Sequence, residues 1–379
     1  PVIARDTVAR RDPTVALLQD GRVMVVGGVT DSGVTSVVSI YSPSDGTWIA
    51  TGSLNEPRLG AEVVPLNEGR VLVVTGSGTF GPLATAEVFD PLRGQFSRTG
   101  SMSVARSGLV SSKLADGRVL IAGGLDAEQN VLKSAEIYDP KAGRFVGTGD
   151  LVVARYNHTS TALPSGQVLI TGGSSKSADL ASAEVYDPAT GTFRTTGSMQ
   201  FAREAQNASL LPDGRVLIVS GAYRIGRDRG SAIEVGAAEL YDPKLDRFVP
   251  AGSMRTPRQQ FAGTLPDGTA IFMGGSTTVA TLDSIEVYRP PAAAVAGDGA
   301  FVSAPAFSAN GTALAIFGGG RVDQLEGAAR AAGAVGVWVQ DGGGVLRLLL
   351  LGGPAFLGDA FRDAFADGLP RSTPVTLTR

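Results

Sequence analysis

Few residues in this chain are equipped for chemistry. Histidine occurs once, as His158 in "ARYNHTSTAL", and cysteine not at all, so thiol nucleophiles, zinc–thiolate sites and disulfides are excluded by inventory. One imidazole cannot build a usual histidine metal site, and a nucleophile–His–acid triad would need partners that no motif places. His158 therefore reads as a hydrogen-bonded structural residue. Carboxylates and guanidiniums are better supplied. Glu87, Glu136, Glu184, Glu239 and Glu286 recur along the chain, and so do Arg10, Arg58, Arg106, Arg155, Arg203 and Arg258. Two unequal carboxylates would suit glycoside hydrolysis, and a set of arginines could bind an anionic sugar or a carboxylate. Groups repeated at fixed intervals are expected to serve every repeat, so structural pairing is the stronger reading of both sets.

Two further patterns touch on chemistry. Asp126, Glu128 and Asn130 have the alternate spacing of a calcium loop, but Val131 stands where the turn glycine belongs and Ile137 where the bidentate acid belongs. "GSGTFG" at 76–81 lies between strands rather than opening a helix, which is not how a phosphate loop is built. No catalytic residue, metal or cofactor is expected.

The elements that carry these residues are written by repetition. Gly21, Gly69, Gly117, Gly166, Gly214 and Gly268 mark one turn in successive copies, at intervals of 48, 48, 49, 48 and 54 residues. Each copy holds an apolar-alternating strand, Asp-Gly or its stand-in, a Val-rich strand ending in glycines, "EVYDP"-like residues and a strand such as "TFRTT". These read as four short strands per copy, with a tight turn at Asp-Gly and a break at Pro. Aromatic residues 7 apart, such as Tyr41 and Trp48 or Tyr186 and Phe193, read as packing between units.

The doublets Gly27-Gly28, Gly123-Gly124, Gly172-Gly173 and Gly274-Gly275, the "EVYDP" segments and the aromatic seven residues on resemble a kelch-repeat β-propeller of the galactose oxidase central-domain type. The resemblance covers residues 1–291 and implies an all-β, six-bladed propeller, with seven blades as the alternative. It does not carry over the galactose oxidase copper site, which needs His, Tyr and a Tyr–Cys crosslink that this inventory cannot supply. Closure of the last blade has two candidates: Pro1, Val2 and Ile3, or "DGAFVS" at 298–303. A strand from a neighbouring molecule is a third, which would make the open blade an assembly device.

Residues 292–299 read as a linker and 300–379 as a small C-terminal α/β module. Its expected order is a hairpin in 307–319, a helix in 322–333, strands in 335–340 and 345–351, a helix in 355–368 and a strand in 373–379. The alternative is a divergent seventh blade, since Trp338 and Val345 keep the spacing of 7.

The copies differ most in the fifth. From turn glycine to repeat glutamate is 18 residues in the fourth copy (166 to 184) and 25 in the fifth (214 to 239), so one loop gains 7 residues. That loop offers Tyr223, Arg224, Arg227 and Arg229, types favoured at interfaces. The arginines Arg58, Arg106, Arg155, Arg203 and Arg258 are the second candidate binding set.

A net charge of −3 gives no field for a phosphate backbone, so no nucleic-acid partner is expected. "VLRLLLLGG" falls far short of the ~20 apolar residues of a spanning helix. A first residue Pro1 instead of Met fits removal of an export signal, hence a secreted or cell-surface location. The expectation is a non-enzymatic, exported structural or interaction protein, binding a protein partner or itself as an oligomer or polymer. A glycan-binding or carbohydrate-active propeller is the alternative.

Overall fold

The computed structural model describes residues 6, 8–224, 232–257, 262–264, 269–273, 285–288, 301–302, 306–308, 334–340, 346–350 and 376–378. Among them, six four-stranded sheets follow one another, each with its strands in sequence order. The first holds Thr14–Leu17, Val23–Val26, Val38–Ser42 and Thr47–Ala50, and the second Glu62–Pro65, Val71–Val74, Ala86–Asp90 and Gln95–Arg98. The third holds Val110–Lys113, Val119–Ala122, Ala135–Asp139 and Arg144–Gly147, and the fourth Thr159–Ala162, Val168–Thr171, Ala183–Asp187 and Thr192–Thr195. The fifth holds Asn207–Leu210, Val216–Val219, Ala237–Asp242 and Arg247–Ser253, and the sixth Ala262–Thr264, Ala270–Met273, Ile285–Tyr288 and Phe301–Val302. These are the blades of a β-propeller. The chain divides into two compact units, one of Pro1–Ala208 with Tyr223–Ser231 and Leu245–Arg247, the other of the remaining residues.

The repeat residues do what their types require. Gly117 and Gly166 adopt positive φ at the turn between the first two strands, a conformation glycine reaches without strain. Asp90 and Asp139 of the "YDP"-type segments accept the N–H groups two and three residues on, which fixes the break before the fourth strand. The second strands of the second to fifth blades are buried along their whole length, as a strand packed on both faces must be.

One blade face cannot bury itself, and the seams show where it goes. Met24, Val26 and Ile40 of the first blade meet Val71, Val73 and Phe89 of the second, and Leu72 and Val74 of the second meet Val119, Ile121 and Tyr138 of the third. Leu120 and Ile137 pack on Val168, Ile170 and Tyr186, and Leu217 and Leu240 on Ala270 and Phe272. The aromatic pairs sit directly opposite on the third and fourth strands, with ring centroids 4.7–5.2 Å apart.

A second tie crosses the four seams between the first five blades. Gly52, Gly100, Gly149 and Gly197, in the "TGS" or "TGD" that leaves the fourth strand of the first four blades, donate their N–H to the carbonyl of Gly94, Gly143, Gly191 and Asp246 in the following blade. A Cβ on Gly100 would lie 2.7 Å from that oxygen and one on Gly149 2.5 Å, so the close approach demands glycine.

The sixth blade takes its fourth strand from Phe301–Val302, with Val287 opposite Val302 and Tyr288 opposite Phe301. Of the segments that compete for that slot in the sequence, the one at 298–303 occupies it. Pro1, Val2 and Ile3 lie outside the described residues.

Beyond it, Ala306–Ser308, Ala334–Gln340, Leu346–Leu350 and Thr376–Thr378 form a further sheet in that order. Its last pair is parallel, which no two-residue turn can make and which sets it apart from the antiparallel blades. The helices expected in 322–333 and 355–368 lie outside the described residues.

Candidate interaction site

The repeat arginines Arg58, Arg106, Arg155 and Arg203 lie inside the protein and not on its surface. Arg155 is fully buried. Its Nε donates to Val153 O (3.3 Å), Nη1 to Gly172 O (2.8 Å) and Ser182 O (3.0 Å), and Nη2 to Ser182 Oγ (3.1 Å) and Glu184 Oε1 (2.8 Å). Arg106 makes the same five bonds to Val104, Gly123, Ser134 and Glu136, and Arg58 grips Thr75, Thr85 and Glu87. Desolvation lowers the guanidinium pKa of Arg155 and Glu184 beside it offsets the loss. Arg203 is equally buried, and Arg258 lies outside the described residues. Glu87, Glu136, Glu184 and Glu286 in turn accept N–H groups of the turn before the arginine, as Glu184 does from Val152 and Val153. The geometry is a clamp that holds the loops, and it leaves Arg58, Arg106 and Arg155 no free face for a ligand.

The first blade departs from the rule: Ser39 stands where the others have glutamate. Arg10 then takes its carboxylate from Asp6, at 2.7 Å, and Ser39 Oγ donates to the same side chain.

His158 is 2% exposed, and neither ring nitrogen has a hydrogen-bond partner among the described residues. This corrects the hydrogen-bonded expectation: the slot is bounded by Gly123 and Gly173, where any side chain would run into the ring and into Cβ. Burial, with Arg155 close by, pulls the imidazole down to about 3. Asp126 is occupied in shaping its own loop, accepting from the N–H groups of Glu128 and Asn130 and from Asn130 Nδ2. No group of three or more His, Asp or Glu side chains that could hold a metal stands among the described residues.

The fifth-blade loop is different in kind. Ala222–Arg224 pairs with Ala232–Glu234 as a short ribbon that leaves the blade after its second strand. Tyr223 is 40% exposed. Arg224 points the other way, pairing with Glu204, while its N–H donates to Asp179 Oδ2 at 2.6 Å. Glu204 is 2% exposed, and its Oε2 also accepts from Asn157 Nδ2 (3.1 Å). Ser174 Oγ lies 2.8 Å from that oxygen and 2.5 Å from Asp179 Oδ1, so its one hydrogen serves two carboxylates in turn. Charge-assisted bonds of this kind fix the base of the ribbon. Arg227 and Arg229 lie outside the described residues.

The sequence singles out Tyr223 and Arg224 but not the side chains that hold Arg224. The signal for Glu204 was there: it follows the repeat arginine at a position held elsewhere by Arg11, Leu59, Ser107 and Tyr156. Glu62 was also missed. It stands on the first strand of the second blade and accepts from Ser111 N (2.9 Å) and Ser111 Oγ (2.6 Å), while burial raises its pKa against those two bonds.

A family model described as the kelch motif matches residues 154–200. The solved structure of YjhT superposes with a TM-score of 0.61 at 11% identity, over 80% of this chain and 100% of its own. No curated protein matches the sequence. At that identity the likeness speaks for the fold alone. The matched segment runs from the buried arginine of the fourth repeat through its four strands, and the second and third blades hold the same strands and the same clamp: the chain has the fold of a kelch-type β-propeller.

Proposed function

We propose that the chain is a non-enzymatic interaction protein that meets a protein partner, a second copy of itself included, through the fifth-blade ribbon, and that it works outside the cell. One observation carries the reading. The repeated charges are consumed in the buried clamp, whereas Tyr223 is held out on a ribbon whose base is fixed by Arg224, Glu204 and Asp179. Preorganised aromatic anchors are what interfaces favour, because little ordering remains to be done on binding. Phe80, fully exposed on the shorter ribbon Ser77–Gly78/Gly81–Pro82, extends the same idea to the second blade. The parallel pair in the C-terminal sheet supports a separate module at 300–379.

The test is a photo-crosslinking residue at position 223. It is expected to give a discrete adduct, with purified chain if the partner is a second copy and with extract of the native source if it is not. Glu204→Ala, which releases Arg224, is expected to weaken the adduct at least tenfold. The reading fails if position 223 gives no adduct, or none stronger than the equally accessible Ile49.

A further inference from the structure

His158 is the buried titratable group that the interaction reading leaves unused. We propose that it is an acid-operated release in the seam between the third and fourth blades: the neutral imidazole fills the seam and the imidazolium must leave it.

The slot is built for the ring and not for a charge. A Cβ on Gly123 would lie 3.1 Å from His158 Cε1 and one on Gly173 2.8 Å from His158 Cβ, so the two glycines make the space. The charged groups around it are the wrong ones. Arg155, three residues back, acts on the imidazole as a like charge and is paired with Glu184 at 2.8 Å. On the third-blade wall Arg106 donates to Gly123 O at 3.1 Å and is paired with Glu136, also at 3.1 Å. Glu204 and Asp179, beyond Asn157, are bound to the Arg224 side chain and its N–H. Each nearby carboxylate is already claimed, so an imidazolium in the slot has no counter-ion.

The other blades show that the fold does not require a titratable residue here. Pro13, Ala61 and Leu109 hold the position in the first three, and Gln206 in the fifth donates its Nε2 to Thr171 O of the preceding blade at 2.7 Å. The single histidine of the chain thus stands in one seam. The closed seam holds the imidazole near 3 and the opened one returns it to its ordinary 6.5, so opening takes up a proton. The closed form is fully favoured above 6.5 and loses ground as pH falls from there towards 3.

Hydrogen exchange on the full chain tests this. Gly124 N–H donates to Arg155 O and Asn157 N–H to Gly108 O across this seam, while Gly28 N–H donates to Arg58 O across the first one. Between about pH 7.5 and about pH 4.5, protection of Gly124 and Asn157, corrected for intrinsic exchange, is expected to fall about a hundredfold, and that of Gly28 not to follow. In His158→Gln and His158→Leu, the residues of the fifth and third blades, the fall is expected to vanish; two variants guard against one that fails to fold. The proposal is overturned if the wild-type seam keeps its protection, if all seams fall together, or if both variants keep the pH dependence.

Discussion

A guanidinium taken wholly out of water has five N–H donors to satisfy from inside the protein. Arg106 and Arg155 satisfy all five with two loops and one carboxylate, which is why a residue type that looks like an anion site in the sequence is structural here. Removing one partner of such a pair leaves the other charged and dry. Arg155→Met is therefore expected to cost about 3–5 kcal/mol in denaturant unfolding, and Arg155→Met with Glu184→Leu clearly less than that. Equal losses in the single and double variants would contradict the clamp. At this scale the sequence was half legible. Recurrence separated structural charges from individual ones, but it could not show that Asp6 stands in for the glutamate missing at Ser39, because the two are 33 residues apart and share no period.

Strands and turns were the most legible elements, since alternation, Asp-Gly and Tyr-Asp-Pro each act within a few residues. The "TGS" step was visible as a motif but not as a contact. Its glycine is set by a carbonyl of the next blade, 43 residues on for Gly100 and Gly143. Gly100→Ala is expected to lower stability by about 1–3 kcal/mol, because a Cβ meets backbone that cannot step aside. Gly147→Ala, with nothing within 4 Å of the added carbon, is expected to cost less than about 1 kcal/mol. Thermal unfolding of the two variants separates them, and similar midpoints would remove the steric argument.

For the whole molecule, the decisive element is the short strand Phe301–Val302. It completes the sixth blade from beyond the segment that reads as a linker. A chain ended after residue 303 is expected to keep the midpoint of the propeller transition in calorimetry, whereas one ended after 290 loses the pairing with Ile285–Tyr288 and is expected to melt several degrees lower. Identical midpoints would show that this strand does not matter to the sheet. The ambiguity in the sequence was physical. A closing strand needs only a few residues of the right alternation, so two segments fitted equally well, and pairing across the chain decided between them.

The "TGS" tie has a consequence for how such a protein grows. The second, third and fourth blades each carry a donor at the trailing end and, in the turn before the last strand, the acceptor that receives the previous donor. The unit is a plug and socket encoded together in about 48 residues. A duplicated stretch of gene therefore arrives with both halves of its joint already matched. New blades need no co-adapted partner, and the places free to diverge are those the joint does not use, such as the second-to-third-strand loop where the fifth blade keeps Tyr223.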